Sequence, residues 1–324
     1  MTAVSKLSSE AKASIKSLSG PRPARFLLTL AHTWFTIFSI VYLAIICNNI
    51  FVSLVAIYFV ATRQNILALL IHEQTHYLGL RNKLGDSVVN CLCSYPLLAV
   101  TIESYAKIHL AHHRFYFTSR DPDFGRKEGV DWTFPMGKMK LASLFLTDAL
   151  GVSFARHIIR SNKSKVIEQS AFCRKCPSPS WLKPAFLALA AAIISLIDGW
   201  FYFIIYWAVP LVTVLPMIVR WSAICEHSYG REGATVEETS PVIMPTFLSK
   251  ILLPNLNFTM HVYHHYFPGV SFSALPEVHK IFMKENLVHA DQVFFGHLDY
   301  LRFVTTGTRD SQRSLGEPGV SVAA

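Results

Sequence analysis

The chain has 324 residues, of which 52% are apolar and 16% charged, whereas ordinary soluble domains carry about 25% charged residues. With a mean hydropathy of +0.34, this composition excludes a typical soluble globular protein and places the chain in a membrane. The formal charge of +9 does not indicate a nucleic-acid binder, because the basic residues flank apolar stretches instead of interleaving with aromatics; positive-inside topology and anionic lipid headgroups account for them.

Residues 1–25 are polar and basic (Lys6, Lys12, Lys16, Arg22, Arg25) and read as a cytosolic tail. They lack the early apolar core and small-residue cleavage site of a signal peptide. Two apolar runs follow, at about 26–47 and 50–71, each long enough for a ~20-residue spanning helix. Asn48 and Asn49 mark the turn between them. With the basic tail inside, the second span returns to the cytosol and delivers the sequence HEQTH, with His72 and His76, to that face.

The stretch at about 88–100, interrupted by Pro96, is too short to span and reads as re-entrant or interfacial. HLAHH, with His109, His112 and His113, therefore stays on the same side. Residues 118–182 are polar, contain Asp121 and Asp123, and read as a cytosolic region. Within it, Cys173 and Cys176 in CRKC are the one cysteine pair with metal-like spacing; a closed zinc site needs a second pair, so the reading is a plain loop. The six cysteines show no disulfide framework, which fits a reducing compartment. Spans at about 184–198 and 200–221, turned at Asp198 and Gly199, bring the chain back at Arg220 and His227. Beyond them nothing is long and apolar enough to span, so HVYHH, with His261, His264 and His265, is cytosolic as well. Residues 296–324 read as a flexible tail. The expected fold is an all-α integral membrane protein: four transmembrane helices and a cytosolic helical cap, within a domain at 26–295.

Nine histidines thus share one face: His72, His76, His109, His112, His113, His227, His261, His264 and His265. Imidazole is the commonest metal ligand, and this number exceeds what one ion needs, so a binuclear site is expected. His72 and His76, four apart on a helix, project from one face. Adjacent histidines on a helix point about 100° apart, which lets each doublet address two metals. Neutral imidazoles leave a divalent pair with its full charge, unlike carboxylate-bridged sites. Glu73, Glu103, Asp121, Asp123 and Glu226 lie beside these motifs. Glu73 and Glu226 are the candidates to accept the other ring N–H of ligating histidines; Asp121 and Asp123 read as solvated surface charges. His32, His157, His279, His289 and His297 read as interfacial polar residues, and Arg220 as a positive-inside anchor.

HEQTH alone also matches the HExxH pattern of zinc peptidases, with Glu73 as general base. Such a site uses three protein ligands and would leave six histidines unemployed. A metal transporter would place its ligands within the spans, at the bilayer midplane, not at their cytosolic ends.

The order HEQTHY, HLAHHRF, RWSAICEH and HVYHHYFPGVSFSALPEV, over roughly residues 26–290, resembles the membrane fatty acid desaturase superfamily. The resemblance implies four spanning helices beneath a cytosolic cap that holds two Fe2+ ions with histidines alone. Carried over residue by residue, His72 and His76 match the first motif, His109, His112 and His113 the second, and His261, His264 and His265 the third. His227 matches the histidine after the fourth span of stearoyl-CoA type desaturases; the asparagine four residues earlier in those enzymes is Ala223 here. The short HxxxH first motif leans toward acyl-lipid and bacterial-type members. The expected reaction is O2-dependent introduction of a C=C bond into an unactivated fatty acyl or lipid chain, with a hydroxylase or ketolase acting on a lipid or terpenoid as the related alternative and a histidine-rich metal-binding or transport protein as the non-enzyme one. No HPGG cytochrome b5 motif follows the core, so an external electron donor (ferredoxin, cytochrome b5 or similar) and its reductase are expected. A substrate tunnel is expected near Tyr95, Tyr105, Tyr263 and Phe267, and a bacterial inner membrane is favoured over the endoplasmic reticulum.

Overall fold

The computed structural model describes residues 3–98, 101–127, 129–161 and 174–308, with the backbone alone at 157–161. The His157 side chain, Cys173 and the end of the C-terminal tail therefore lie outside the described residues.

Helix α1 (Ser9–Leu18) precedes the first long apolar helix, α2 (Pro23–Cys47). Pro23 opens α2 at a position where its missing N–H costs nothing. Asn48, in the left-handed region at φ 42°, closes it. Asn49 then caps α3 (Ile50–Thr75) by accepting from the Phe51 and Val52 amides. The Asn-Asn pair thus makes both the stop and the start. Helix α4 (Gly85–Val89) runs into a π-turn at Asn90–Ser94. This stretch docks against α2 through the Trp34 indole, which donates to the Leu92 carbonyl. Helices α5 (Ile102–Phe115), α6 (Pro122–Lys127), α7 (Lys138–Ala149) and α8 (Val152–Ser161) follow.

Among the described residues three helices are long and apolar enough to cross a membrane: α2, α3 and the interrupted helix Trp200–Glu226. We number the latter α10, after α9 (Leu182–Leu196). The fourth expected span coincides with α9, whose 15 residues rise about 22 Å, against a ~30 Å hydrocarbon core. A π-turn at Ile204–Ala208 interrupts α10 just ahead of Pro210, whose ring disfavours a regular bond to the carbonyl four residues earlier. After α10 come α11 (Val236–Thr239), β1 (Val242–Ile243), α12 (Phe247–Leu252), α13 (His261–Tyr266), α14 (Leu275–Lys284), β2 (Val293–Phe294) and α15 (His297–Thr306). The two short strands pair in parallel.

The main core joins α2, α3 and α10 with Phe258 and Phe272. A second core joins α1 to α13 and α14. The N-terminal segment, polar as it reads, is therefore docked: Leu7, Ala11 and Ile15 recur every fourth residue and are all buried. Likewise α15 occupies part of the segment read as a flexible tail, with Tyr300 and Val304 buried.

Candidate metal centre

Helix α3 carries His72 in its last turn, and His76 is its C-cap. Helix α5 carries His109, His112 and His113, and α13 carries His261, His264 and His265. His227 follows the end of α10 in extended conformation. These four elements bring all nine rings into one buried cluster.

The cluster divides in two. Ring nitrogens of His72, His76, His109 and His264 all lie within 4.8 Å of one another, as do those of His112, His227 and His265. The His264–His265 doublet splits between the groups, and of the His112–His113 doublet His112 alone belongs to one. His113 Nε2 lies 3.0 Å from His109 Nε2 and 3.1 Å from His264 Nε2, while its ring stacks on His265 at 4.3 Å. His261 bridges from the other side, its ring centre 4.8 Å from that of His227 and 5.1 Å from that of His264.

Nitrogens of several rings converge at hydrogen-bond distance, His109 Nε2 and His76 Nε2 at 2.8 Å and His265 Nε2 and His227 Nε2 at 3.1 Å. Both nitrogens of His72 and Nδ1 of His261 are buried without a hydrogen-bond partner. An unsatisfied buried polar atom costs about 1–3 kcal/mol. The donor set therefore fits metal ions: converging lone pairs that lack protons to share are what a cation satisfies. Burial, reinforced by repulsion from neighbouring imidazoles, holds His109, His113, His261, His264 and His265 far below the ordinary imidazole range. His227 is lowered in the same way, with Lys127 adding to the effect. His76 is pushed down to about 3, first by burial and then by the Arg174 guanidinium. Neutral imidazole is the form that binds metal.

The groups that fix the rings are not the carboxylates expected from sequence. Asp121, read as a surface charge, is 2% exposed, and its Oδ2 accepts from His112 Nδ1 at 2.8 Å. The same carboxylate accepts from the amides of Phe117, Asp123 and Phe124. Asp123 is also engaged, bound by Arg126, Lys127 and the Tyr229 hydroxyl. Burial opposes its ionisation, but Lys127 and Arg126 hold it well below the carboxylate range. His227 Nδ1 faces Ser240 Oγ at 2.9 Å and the Tyr116 hydroxyl at 3.1 Å. Those partners were missed because no spacing motif links positions 116, 240 and 227.

Glu73 turns away from the histidines and accepts from the Phe272 amide at 3.3 Å, tying α3 to the loop after the third motif. Glu226 lines a cavity and makes no hydrogen bond to a histidine among the described residues. Glu103 accepts from Asn90 and the Ser178 amide. His279 is buried, its Nδ1 hydrogen-bonded with the Tyr263 hydroxyl at 2.7 Å, and His297 Nδ1 accepts from the Trp221 indole at 3.0 Å. Neither is an interfacial residue, whereas His32 and His289 are exposed. Arg220, read as a positive-inside residue, pairs with Asp148: its Nε lies 2.5 Å from Asp148 Oδ2, and the side chain is 13% exposed.

A cavity of about 860 Å³ reaches the cluster, lined by His72, His109, His112, His227 and His261. Ala68, Leu69, Ile71, Ile108 and Val219 supply an apolar wall, and Arg126, Lys127, Arg156 and Arg220 face it as cations. Of the four aromatics expected near a tunnel, Tyr105 lines this cavity and stacks on His109 at 5.4 Å. Tyr95 instead packs against Phe186, Tyr263 holds His279, and Phe267 packs against Phe282.

Apolar helices ending in a histidine cluster that could hold metal ions, beside a cavity with an apolar wall, are the arrangement of a membrane protein with a candidate metal site. Residues 48–296 match the family described as Fatty acid desaturase. With most of its length covered, the chain belongs to the fatty acid desaturase family, and hence to the oxidoreductases. A search of curated proteins finds no match to the chain.

Proposed function

We propose that the protein is a di-iron, O2-dependent desaturase that introduces a C=C bond into an unactivated alkyl chain of a fatty acyl lipid. The observation that carries this reading is the division of the histidines into two converging groups with unpartnered buried nitrogens. His72, His76, His109 and His264 would hold one ion and His112, His227 and His265 the other, with His113 and His261 completing the set. Two irons supply the oxygen activation needed to remove hydrogen from a methylene, chemistry that side chains lack. The protein's own contribution is placement. The apolar wall of the cavity holds the alkyl chain, the Tyr105 ring fixes His109, and Asp121 and Ser240 fix His112 and His227 in the tautomer whose free nitrogen faces the cluster.

In this reading α9 serves as a fourth span with the bilayer thinned around it, and the histidines lie at the cytosolic face of a membrane, a bacterial inner membrane being the favoured one. Electrons come from a separate ferredoxin or cytochrome b5-like donor and its reductase. Glu73 supports the desaturase reading against a peptidase, since its carboxylate is engaged by the Phe272 amide and not aimed at a metal-bound water.

The test is mass spectrometry of total lipids from a host expressing the protein with a compatible reductase, compared with His112→Ala. A product two mass units below its acyl precursor, present with the wild type alone, is expected. A product sixteen units heavier would replace desaturation by hydroxylation, and a fully active variant would remove the metal centre from the mechanism.

A further inference from the structure

The CRKC stretch has so far found no role, and its arginine has one. Arg174 is 7% exposed and spends its guanidinium on Asp86 and the end of α3. Nε donates to Asp86 Oδ2 at 2.7 Å and Nη2 to Asp86 Oδ1 at 2.5 Å. Nη1 donates to the Thr75 carbonyl at 2.7 Å and Nη2 to the Gln74 carbonyl at 3.1 Å. The last carbonyls of a helix have no partner inside it, and a cation there also complements the helix dipole. The Gln74 side chain completes the network, bonding Asp86 Oδ1 and both backbone groups of Leu80.

Beyond His76, Tyr77 lies in the left-handed region at φ 57°, where a β-carbon is crowded. Its ring sits under the guanidinium, 3.6 Å from Cζ to the ring centre. Arg174 therefore holds the Thr75 carbonyl before His76 and the Tyr77 ring after it. One residue more or less of helix would swing the side chain at this end by about 100°, and His76 Nε2 must meet His109 Nε2 at 2.8 Å.

We infer that Arg174 is a positioning residue for the metal group of His72, His76, His109 and His264, acting by clamping the end of α3 between Asp86 and Tyr77. The inference rests on the two-metal reading given above. Lysine is no substitute, because a point charge cannot serve a carboxylate and two carbonyls in one plane while stacking on a ring.

The test uses the full-length protein purified in detergent and loaded with Fe2+, and measures metal per chain and the rate of loss to a chelator. Two metals are expected for the wild type, and one each for Arg174→Gln and His76→Ala. Arg174→Lys and Asp86→Asn should bind two but release one at least tenfold faster, the lower end of what outer partners of metal ligands contribute. Selective loss separates positioning from general destabilisation, which would drain both groups alike. If Arg174→Gln does not accumulate in folded form, the exchange rates of Arg174→Lys and Asp86→Asn decide. Variants that keep both metals at wild-type rates, or lose both equally, overturn the clamp alone. A wild type that binds fewer than two metals overturns the two-metal reading and the inference with it.

Discussion

Asp121 performs two tasks with one carboxylate. Its Oδ2 receives the His112 Nδ1 proton and the Phe117 amide, and its Oδ1 receives the first amides of α6. Every lone pair faces a donor, so asparagine cannot take its place without turning an NH2 toward one of them. If the amide faces His112, the imidazole proton moves to Nε2 and the ligating lone pair is lost; if it faces α6, the cap is lost. Asp121→Asn is therefore expected to lower metal affinity at the His112, His227 and His265 group about 10–100-fold, with turnover falling in parallel. Metal titration of the purified variant checks this, and unchanged affinity would show that Asp121 merely caps α6. The histidine motifs were legible because imidazoles at helical spacing leave a pattern within a few residues. Asp121 was not, since what converts a surface-looking DPD into a buried acceptor is the turn after α5, nine residues from its partner, and no periodicity encodes that turn. Arg174, 88 residues from Asp86, was further out of reach.

At the scale of elements, the turns were the best-encoded feature. Asn48 and Asn49 separate α2 from α3, and Asp198 with Gly199 separates α9 from α10, because Asn48 and Asp198, at φ 42° and 50°, take left-handed backbone angles that few residues tolerate. The apolar runs were legible as α2, α3 and α10, and the run at about 184–198 as α9, whose 15 residues match the length read from sequence. The docking of α1 was overlooked because its lysines dominate the composition, although Leu7, Ala11 and Ile15 hold helical spacing. Ile15 is 2% exposed and packs in the core that also contains Val262 and Tyr263 of the third histidine motif. Ile15→Ala is expected to destabilise the protein by about 2–5 kcal/mol and leave the number of metals bound unchanged. Thermal melts and metal analysis of one preparation check both halves; an unshifted midpoint would mean that α1 is not part of the packed core.

At the scale of the whole molecule, folding carries many imidazoles out of water in a chain that is already basic. His76 is lowered to about 3, His279 and His297 each to about 4, and His109, His113, His227, His261, His264 and His265 are held well below the ordinary imidazole range; in each case burial is the first cause. In the unfolded chain the same groups titrate near 6.5. Below that pH the unfolded state binds protons that the native state refuses, so stability is fully present above about 6.5 and is lost as pH falls toward the folded values. Each such histidine contributes a slope of up to about 1.4 kcal/mol per pH unit, so three already rival much of a typical net stability of about 5–15 kcal/mol. Bound metal opposes the loss, because it competes with protons for the same lone pairs and binds only the native arrangement. Metal-free protein is thus expected to melt at a constant temperature from pH 8 to 7 and to lose stability steeply from pH 6 downward, while metal-loaded protein holds its midpoint to a lower pH. Parallel melting curves of the two forms across that range check the sign and the coupling together. A metal-free midpoint indifferent to pH between 7 and 5 would mean that the imidazoles are solvated, which a cluster built for metal in this fold does not permit.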